Sequence, residues 1–197
     1  MSQPIIYLAS TSPRRRQILR QLGIKFRSLR PRFVEPAIKT SSQPRRFAIT
    51  CAFFKALSVL PERKIASGLL IGMDTIVVLK NRILGKPSTL SEARRMLKTL
   101  SGKRHYVITG VAVIKLPEMK IVTGAESTLI TFRTTSQKEI DEYLSTPEPL
   151  DKAGSYAIQG RGALFIKKID GCYLNVIGLP VPLIFKLLNQ IAKKKLR

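Results

Sequence analysis

Tryptophan is absent from this chain of 197 residues, histidine occurs once, and the two cysteines lie far apart. Cys51 and Cys172 form no C-x-x-C pair, so they read as buried thiols rather than as a disulfide or a metal site. With His105 as the lone imidazole, a His/Cys zinc site is disfavoured. His105 follows Arg104 at a strand start, where a surface position is expected. Long apolar runs are missing too, so no membrane association is expected. The N-terminus lacks a basic segment followed by an apolar signal core, which points to a cytoplasmic protein. Acidic residues are scarce as well. The chain has 12 against 35 Lys and Arg, a formal net charge of +23. Such a balance is the electrostatic footprint of a protein with phosphate-bearing partners, whether nucleotides, nucleic acid or anionic surfaces. The basic residues are spread along the whole chain, and only Lys193-Lys194-Lys195 with Arg197 make a cluster.

What is present suffices for a core. The composition is 44% hydrophobic, and a chain of this size buries about 70% of its extended surface. No internal repeat, low-complexity tract or linker breaks it, so residues 1–197 are expected to form one domain. Near the start, Ile5-Ile6-Tyr7-Leu8-Ala9 reads as a buried strand. Ser10-Thr11-Ser12-Pro13-Arg14-Arg15-Arg16 follows, and then Ile18, Leu19 and Leu22 on one helical face. Ser12 suits the N-cap, Pro13 the first helical position and Gly23 the residue past the end. The motif is therefore a strand, a hydroxyl-rich loop and a helix start, where free N–H groups and the helix dipole favour an anion. Cations in a first helical turn oppose the dipole by about 0.3–1 kcal/mol each. Three arginines there fit a cradle for a polyphosphate; a solvated basic turn is the other reading, and these residues alone leave both open.

Phe26 to Lys39 reads as irregular around Pro31 and Pro36, with Glu35 among basic neighbours, where a surface ion pair is expected. Ser42 is placed to cap a helix from about Gln43 to Val59, with Phe47, Cys51, Phe54 and Leu57 as its apolar stripe and Lys55 beside it. The run from Leu69 to Leu79 is strand-like and carries one carboxylate, Asp74. A buried, unpaired carboxylate is costly, so Asp74 calls for a bulge N–H, a lysine or a metal ion. Lys80-Asn81-Arg82 reads as a turn, and Pro87 keeps Lys86 extended, a way to hold its ammonium toward phosphate. Thr89 to Glu92 and Ser136 to Glu139 both read as capping boxes, opening helices to about Leu100 and Leu144. Strands are expected at about 106–114 and 121–132. Pro147 to Gly162 is rich in proline and glycine and suits a loop whose backbone approaches a ligand. Within it Gln159 offers both a donor and an acceptor. A hairpin over Asp170-Gly171 is expected to join strands at about 163–168 and 172–177, and a last helix is expected at about Val181–Lys194.

Taken together, Leu8 to Arg15, Gly72-Met73-Asp74-Thr75, Lys86-Pro87, Glu148 to Gly154 with Ile158-Gln159-Gly160, and Gly178-Leu179-Pro180 resemble the ordered motifs of the Maf family. These are nucleoside triphosphate pyrophosphatases, historically called septum-formation proteins, and the match covers nearly the whole chain. The resemblance implies an α/β fold: a long twisted mixed sheet flanked by helices, with two lobes and a central cleft. It implies hydrolysis of a nucleoside triphosphate to the monophosphate and pyrophosphate, a house-cleaning role with a link to cell-division arrest. It implies a divalent cation, Mg²⁺ above all, with Mn²⁺ or Co²⁺ as alternatives, and a homodimer. Position by position, Asp74 matches the proton acceptor, and Glu35 an acidic position near the metal, so both are candidate metal ligands. Arg15, Lys55 and Lys86 match basic positions around the phosphates, and Ser10 and Ser12, with the helix N-terminus, are expected to add neutral donors to this phosphate-binding set. Arg14, Thr75 and Gln159 match the positions that separate subfamilies, and this combination is similar to the branch acting on dTTP and UTP. The charge of +23 is outside what that reaction requires. The alternative is a basic nucleic-acid-binding protein on the same scaffold without turnover. Against it, aromatics make up 7% of the chain and no stacking motif or recognition helix is evident.

Overall fold

In a computed structural model, which describes residues 4–36, 40–61 and 65–192, the chain builds one mixed sheet of seven strands. Strand β1 (Ile6–Ala9) leads into α1 (Pro13–Gln21), then β2 (Phe26–Leu29), α2 (Pro44–Leu57) and β3 (Gly68–Leu79). β4 (Arg82–Leu84), α3 (Leu90–Leu100), β5 (Arg104–Leu116), β6 (Lys120–Phe132) and α4 (Gln137–Leu144) follow. Three short 3₁₀ segments precede β7 (Ile166–Asp170), α5 (Tyr173–Val176) and α6 (Val181–Ala192). The order across the sheet is β2-β1-β3-β5-β6-β7, with β4 pairing the far end of β3. β1 runs parallel to β2 and β3, and every other pairing is antiparallel. β3 is buried almost throughout because helices cover both faces.

One interruption in the sheet locates the cleft. β1 pairs β3 only from Leu69 to Gly72, and β4 pairs it only from Val77 to Leu79. Between them, among the described residues, the edge of β3 at Met73 to Ile76 has no strand beside it. This gap lies at the carboxyl end of β1, where open α/β sheets offer a ligand crevice. Strand alternation sends Asp74 to one face and Thr75 to the other. On the Asp74 face lies α2, whose alanines Ala48, Ala52 and Ala56 are fully buried. A Cβ at Gly72 would stand 2.1 Å from the Ala52 carbonyl oxygen, and one at Gly110 would stand 2.2 Å from that of Ala48. Only glycine lets the helix lie so close. On the Thr75 face, two apolar clusters form the lobes. One joins Leu8, Ile71 and Met73 to α1 and α6, and the other joins Val77, Val107 and Phe132 to α3 and α4.

Several local expectations need correction. Phe26–Leu29 is a strand, parallel to β1, rather than part of an irregular stretch; residues 37–39 of that stretch lie outside the described residues. The N-cap of α2 is Gln43, without a side-chain cap bond; the Ser41 hydroxyl accepts from the Gln43 N–H instead. Phe54 is 43% exposed and stacks on Phe33, because α2 turns its alanines to the sheet. Residues 173–176 are a short helix, not the second arm of a hairpin, and β7 pairs with β6. His105 is buried, not on the surface: its Nε2 lies 2.8 Å from the Tyr156 hydroxyl. Cys51 is buried and Cys172 half-buried, both as free thiols. Ser12 caps α1 and Ser136 forms a complete capping box, as expected. Thr89 caps α3, but Glu92 turns its carboxylate to the Ser88 N–H. The tail cluster at 193–197 lies outside the described residues.

Candidate active site

The open edge of β3 forms the floor of a cleft of about 390 Å³, within the range of small-molecule sites. All ten residues singled out in the sequence line it, although they come from six separate stretches of chain. The first is the loop after β1. The Ser10 hydroxyl accepts from the Ser12 N–H at 3.2 Å and from Arg15 Nη1 at 3.2 Å. With both lone pairs used, its own proton is free to be donated into the cleft. Ser12 caps the helix through the Arg15 N–H; Pro13 has no N–H, so the Arg14 N–H is the one left in this turn for an anion. Arg14 is half-buried at the same rim.

Arg15 sits differently from its neighbour. It is buried, and its guanidinium donates to the Gly178 carbonyl at 2.7 Å, to Met73 O at 3.1 Å, to Thr75 Oγ1 at 2.9 Å and to Ser10 Oγ. Four of its five donors are thus committed to protein. Burial pushes its pKa down to about 10 against the opposing pull of Asp74, so it stays charged at neutral pH. Its geometry makes it a brace that ties the α1 loop, β3 and the turn before α6 together.

At the centre stands Lys55, brought down by the close packing of α2. Its ammonium bonds both Asp74 Oδ1 and Glu35 Oε1. Asp74 is 3% exposed, and it sits in unbroken register opposite Gly110. Of the partners its burial called for, it therefore has the lysine and not a bulge. Burial raises the Glu35 pKa, but the Lys55 charge and hydrogen bond more than offset this, and Lys86 adds to the lowering, so the carboxylate is held ionised. Cys51, about one turn before Lys55, is no competing nucleophile. Burial first, then the charge of Asp74, pushes its thiol up to about 12.

The other wall comes from the turn after β4 and the glycine-rich loop. Lys86 is exposed at the mouth, and the Gly154 N–H holds this turn by donating to the Gly85 carbonyl at 3.0 Å. Gln159 is exposed at the far rim, beside apolar lining from Val107, Tyr156, Ile158 and Ile177. Glu148 acts as a cap rather than at the reacting centre. Its carboxylate accepts from the Arg161 N–H at 3.0 Å and the Gly162 N–H at 3.4 Å, fixing the loop that carries Gln159. Sequence reasoning missed Phe33 and Lys152 as lining residues, and Thr109 and Asn175 beneath them. The last two carried the same signal as Asp74: a polar residue within an apolar run.

A divalent cation fits these residues. Glu35 and Asp74 are hard oxygen donors that already converge on one positive charge, and Mg²⁺ takes one or two carboxylates together with substrate phosphates. Among the described residues no group of three His, Cys, Asp or Glu side chains could hold a metal alone.

Comparison with known proteins matches the architecture. The family described as Maf-like protein matches residues 5–191. A dTTP/UTP pyrophosphatase of Carboxydothermus hydrogenoformans is 43% identical over 94% of this chain and 97% of its own length. One of Caldanaerobacter subterraneus subsp. tengcongensis is 44% identical over 94% of this chain and 88% of its own. One of Clostridioides difficile is 43% identical over 94% of both. The chain belongs to the Maf family.

Proposed function

We propose that the chain is a nucleoside triphosphate pyrophosphatase that cleaves dTTP and UTP to the monophosphate and pyrophosphate. The observation that carries this reading is the Glu35–Lys55–Asp74 cluster at the floor of a cleft rimmed by Ser10, Arg14 and Lys86. The names of the relatives supply the nucleotides. In the reaction, a water oxygen attacks the α-phosphorus and the bond from that phosphorus to the bridging oxygen breaks. Pyrophosphate leaves with the bonding pair. Asp74 orients the water and takes its proton, and Lys55 holds the carboxylate in place for that task. The Ser10 proton, the Arg14 N–H at the start of α1, and the charges of Arg14 and Lys86 neutralise the triphosphate and the departing pyrophosphate. Arg15 braces Ser10 and Thr75 from below. Gln159 and Thr75 meet the base at the apolar end. Glu35 and Asp74 would hold a divalent cation, Mg²⁺ first, with Mn²⁺ or Co²⁺ able to replace it. When bound, it supplies Lewis-acid stabilisation of the phosphate charge.

The test is a nucleotide panel with Mg²⁺ in which pyrophosphate and orthophosphate release are measured separately, with Asp74→Asn alongside. Pyrophosphate is expected from dTTP and UTP, and turnover in the variant is expected to fall about 100-fold or more. Release of orthophosphate instead, or near-normal turnover in Asp74→Asn, would overturn the reaction or the role of Asp74.

A further inference from the structure

We infer that Thr109 is a positioning residue that fixes the hydrogen-bond polarity of Thr75, and thereby makes the base site select a ring N–H donor over a ring nitrogen acceptor. The inference rests on the proposed pyrimidine nucleotide reaction. Between the two apolar lobes runs a belt of buried polar groups. Arg15 Nη2 donates to Thr75 Oγ1 at 2.9 Å. Thr75 Oγ1 and Thr109 Oγ1, opposite each other across β3 and β5, are 3.0 Å apart. Thr109 Oγ1 donates to the Asn175 carbonyl at 3.2 Å. The Asn175 amide in turn donates to Val107 O and to Thr128 Oγ1, each at 3.0 Å, which pins α5 against the sheet.

A hydroxyl has one proton and two lone pairs. A carbonyl oxygen can only accept, so the Thr109 proton belongs to Asn175. Thr109 can then only accept from Thr75. The Thr75 proton is thereby turned inward, and one of its lone pairs is filled by Arg15. A single lone pair is left for the cleft that Thr75 lines. Ser10 has the opposite polarity, with both lone pairs filled and a free proton. One end of the cleft therefore donates to an anion, and the other accepts from a base. Uracil and thymine carry N3–H, a donor. Cytosine has a bare N3, an acceptor that would face the Thr75 lone pair. Gln159 cannot impose this choice, because its amide can turn over and present either group.

Thr109→Val keeps the shape and β-branching of a fully buried strand residue. The Asn175 carbonyl retains the Gly178 N–H at 2.8 Å, so the substitution orphans no acceptor. It frees the Thr75 proton to point into the cleft. The preference in kcat/KM for UTP over CTP is expected to fall by about tenfold or more, with Thr109→Ser keeping the parent ratio. Thr109→Ala, which also removes the acceptor, serves if the valine variant does not fold. An unchanged ratio in Thr109→Val or Thr109→Ala, or an equal change in Thr109→Ser, overturns the inference. So does a parent enzyme that cleaves UTP without preference over CTP, and in that case the reaction itself stands. A parent that cleaves neither nucleotide removes the proposed function and this inference with it.

Discussion

Lys55 serves two carboxylates, one buried and one half-exposed. Removing the lysine alone strands Asp74 in a nearly dry site, and breaking a buried pair in this way costs about 3–5 kcal/mol. Lys55→Met is therefore expected to lower the urea midpoint strongly, and Lys55→Met with Asp74→Asn to recover part of that loss. A double variant no more stable than Lys55→Met would show that the loss does not come from the stranded Asp74 carboxylate. His105 gives a second prediction of the same scale. Burial pushes its imidazole down to about 4, so the folded state prefers it neutral. An unfolded histidine titrates near 6.5. The contribution is thus complete above about pH 6.5 and is lost as pH falls toward 4, by roughly 3 kcal/mol in all. In His105→Phe that part of the pH dependence should vanish from urea titrations, while stability at neutral pH falls by about 1–3 kcal/mol because the Tyr156 hydroxyl loses its partner. A wild-type slope retained in the variant would move the effect to other groups. Asp74 and His105 also mark how far residues could be read from the sequence. Asp74 was legible because a carboxylate inside an apolar run demands a partner. His105 looked like a surface residue because its partner, Tyr156, arrives from 51 positions away.

At the scale of elements, α2 is positioned by two glycines in different strands. A Cβ at Gly110 would stand 2.2 Å from the Ala48 backbone, so the helix must move rather than a side chain. Gly110→Ala is expected to cost about 1–3 kcal/mol or more and to reduce turnover, since Lys55 rides on that helix. Gly85→Ala, whose Cβ would meet nothing within 4 Å, should be close to neutral in urea denaturation. Equal midpoints for the two variants would mean that α2 adapts at no cost. Element boundaries were legible where local chemistry sets them. Ser12, Pro13 and Gly23 frame α1, and Ser136 with Glu139 opens α4. β2 was not legible, because two of its four residues are exposed and its apolar pattern is thin. α5 was not legible either. Its sequence has strand-like composition, but the side chain of Asn175 is bonded to β5 and β6, and this tertiary tie overrides local preference.

For the whole molecule, the fold class was legible once five motifs stood in order, yet the gap in the edge of β3 was not, since it depends on where β1 stops and β4 starts. Charge is the other global feature. A net +23 sets the compact state against its own repulsion, and the ion pairs seen do little to relieve it. Arg94–Asp141, Lys115–Glu118 and Arg133–Glu139 are all substantially exposed, and pairs of that kind contribute about 0–1 kcal/mol. On α3, Arg94, Arg95 and Lys98 share a solvent-facing region with Lys103, so like charges crowd there without an equal number of acids. Raising salt from about 0.01 M to about 1 M shortens the screening length from about 30 Å to about 3 Å. Long-range repulsion is lost over that range, while the short pairs inside the cleft are screened far less. The melting temperature should therefore rise with sodium chloride, and most of the rise should come below about 0.15 M, where the screening length passes through about 8 Å. Sulfate would add its own preferential exclusion, so chloride is the cleaner probe. A melting temperature that falls across the same range would mean that the surface pairs outweigh the repulsion, and that the basic residues are spaced widely enough to coexist without strain.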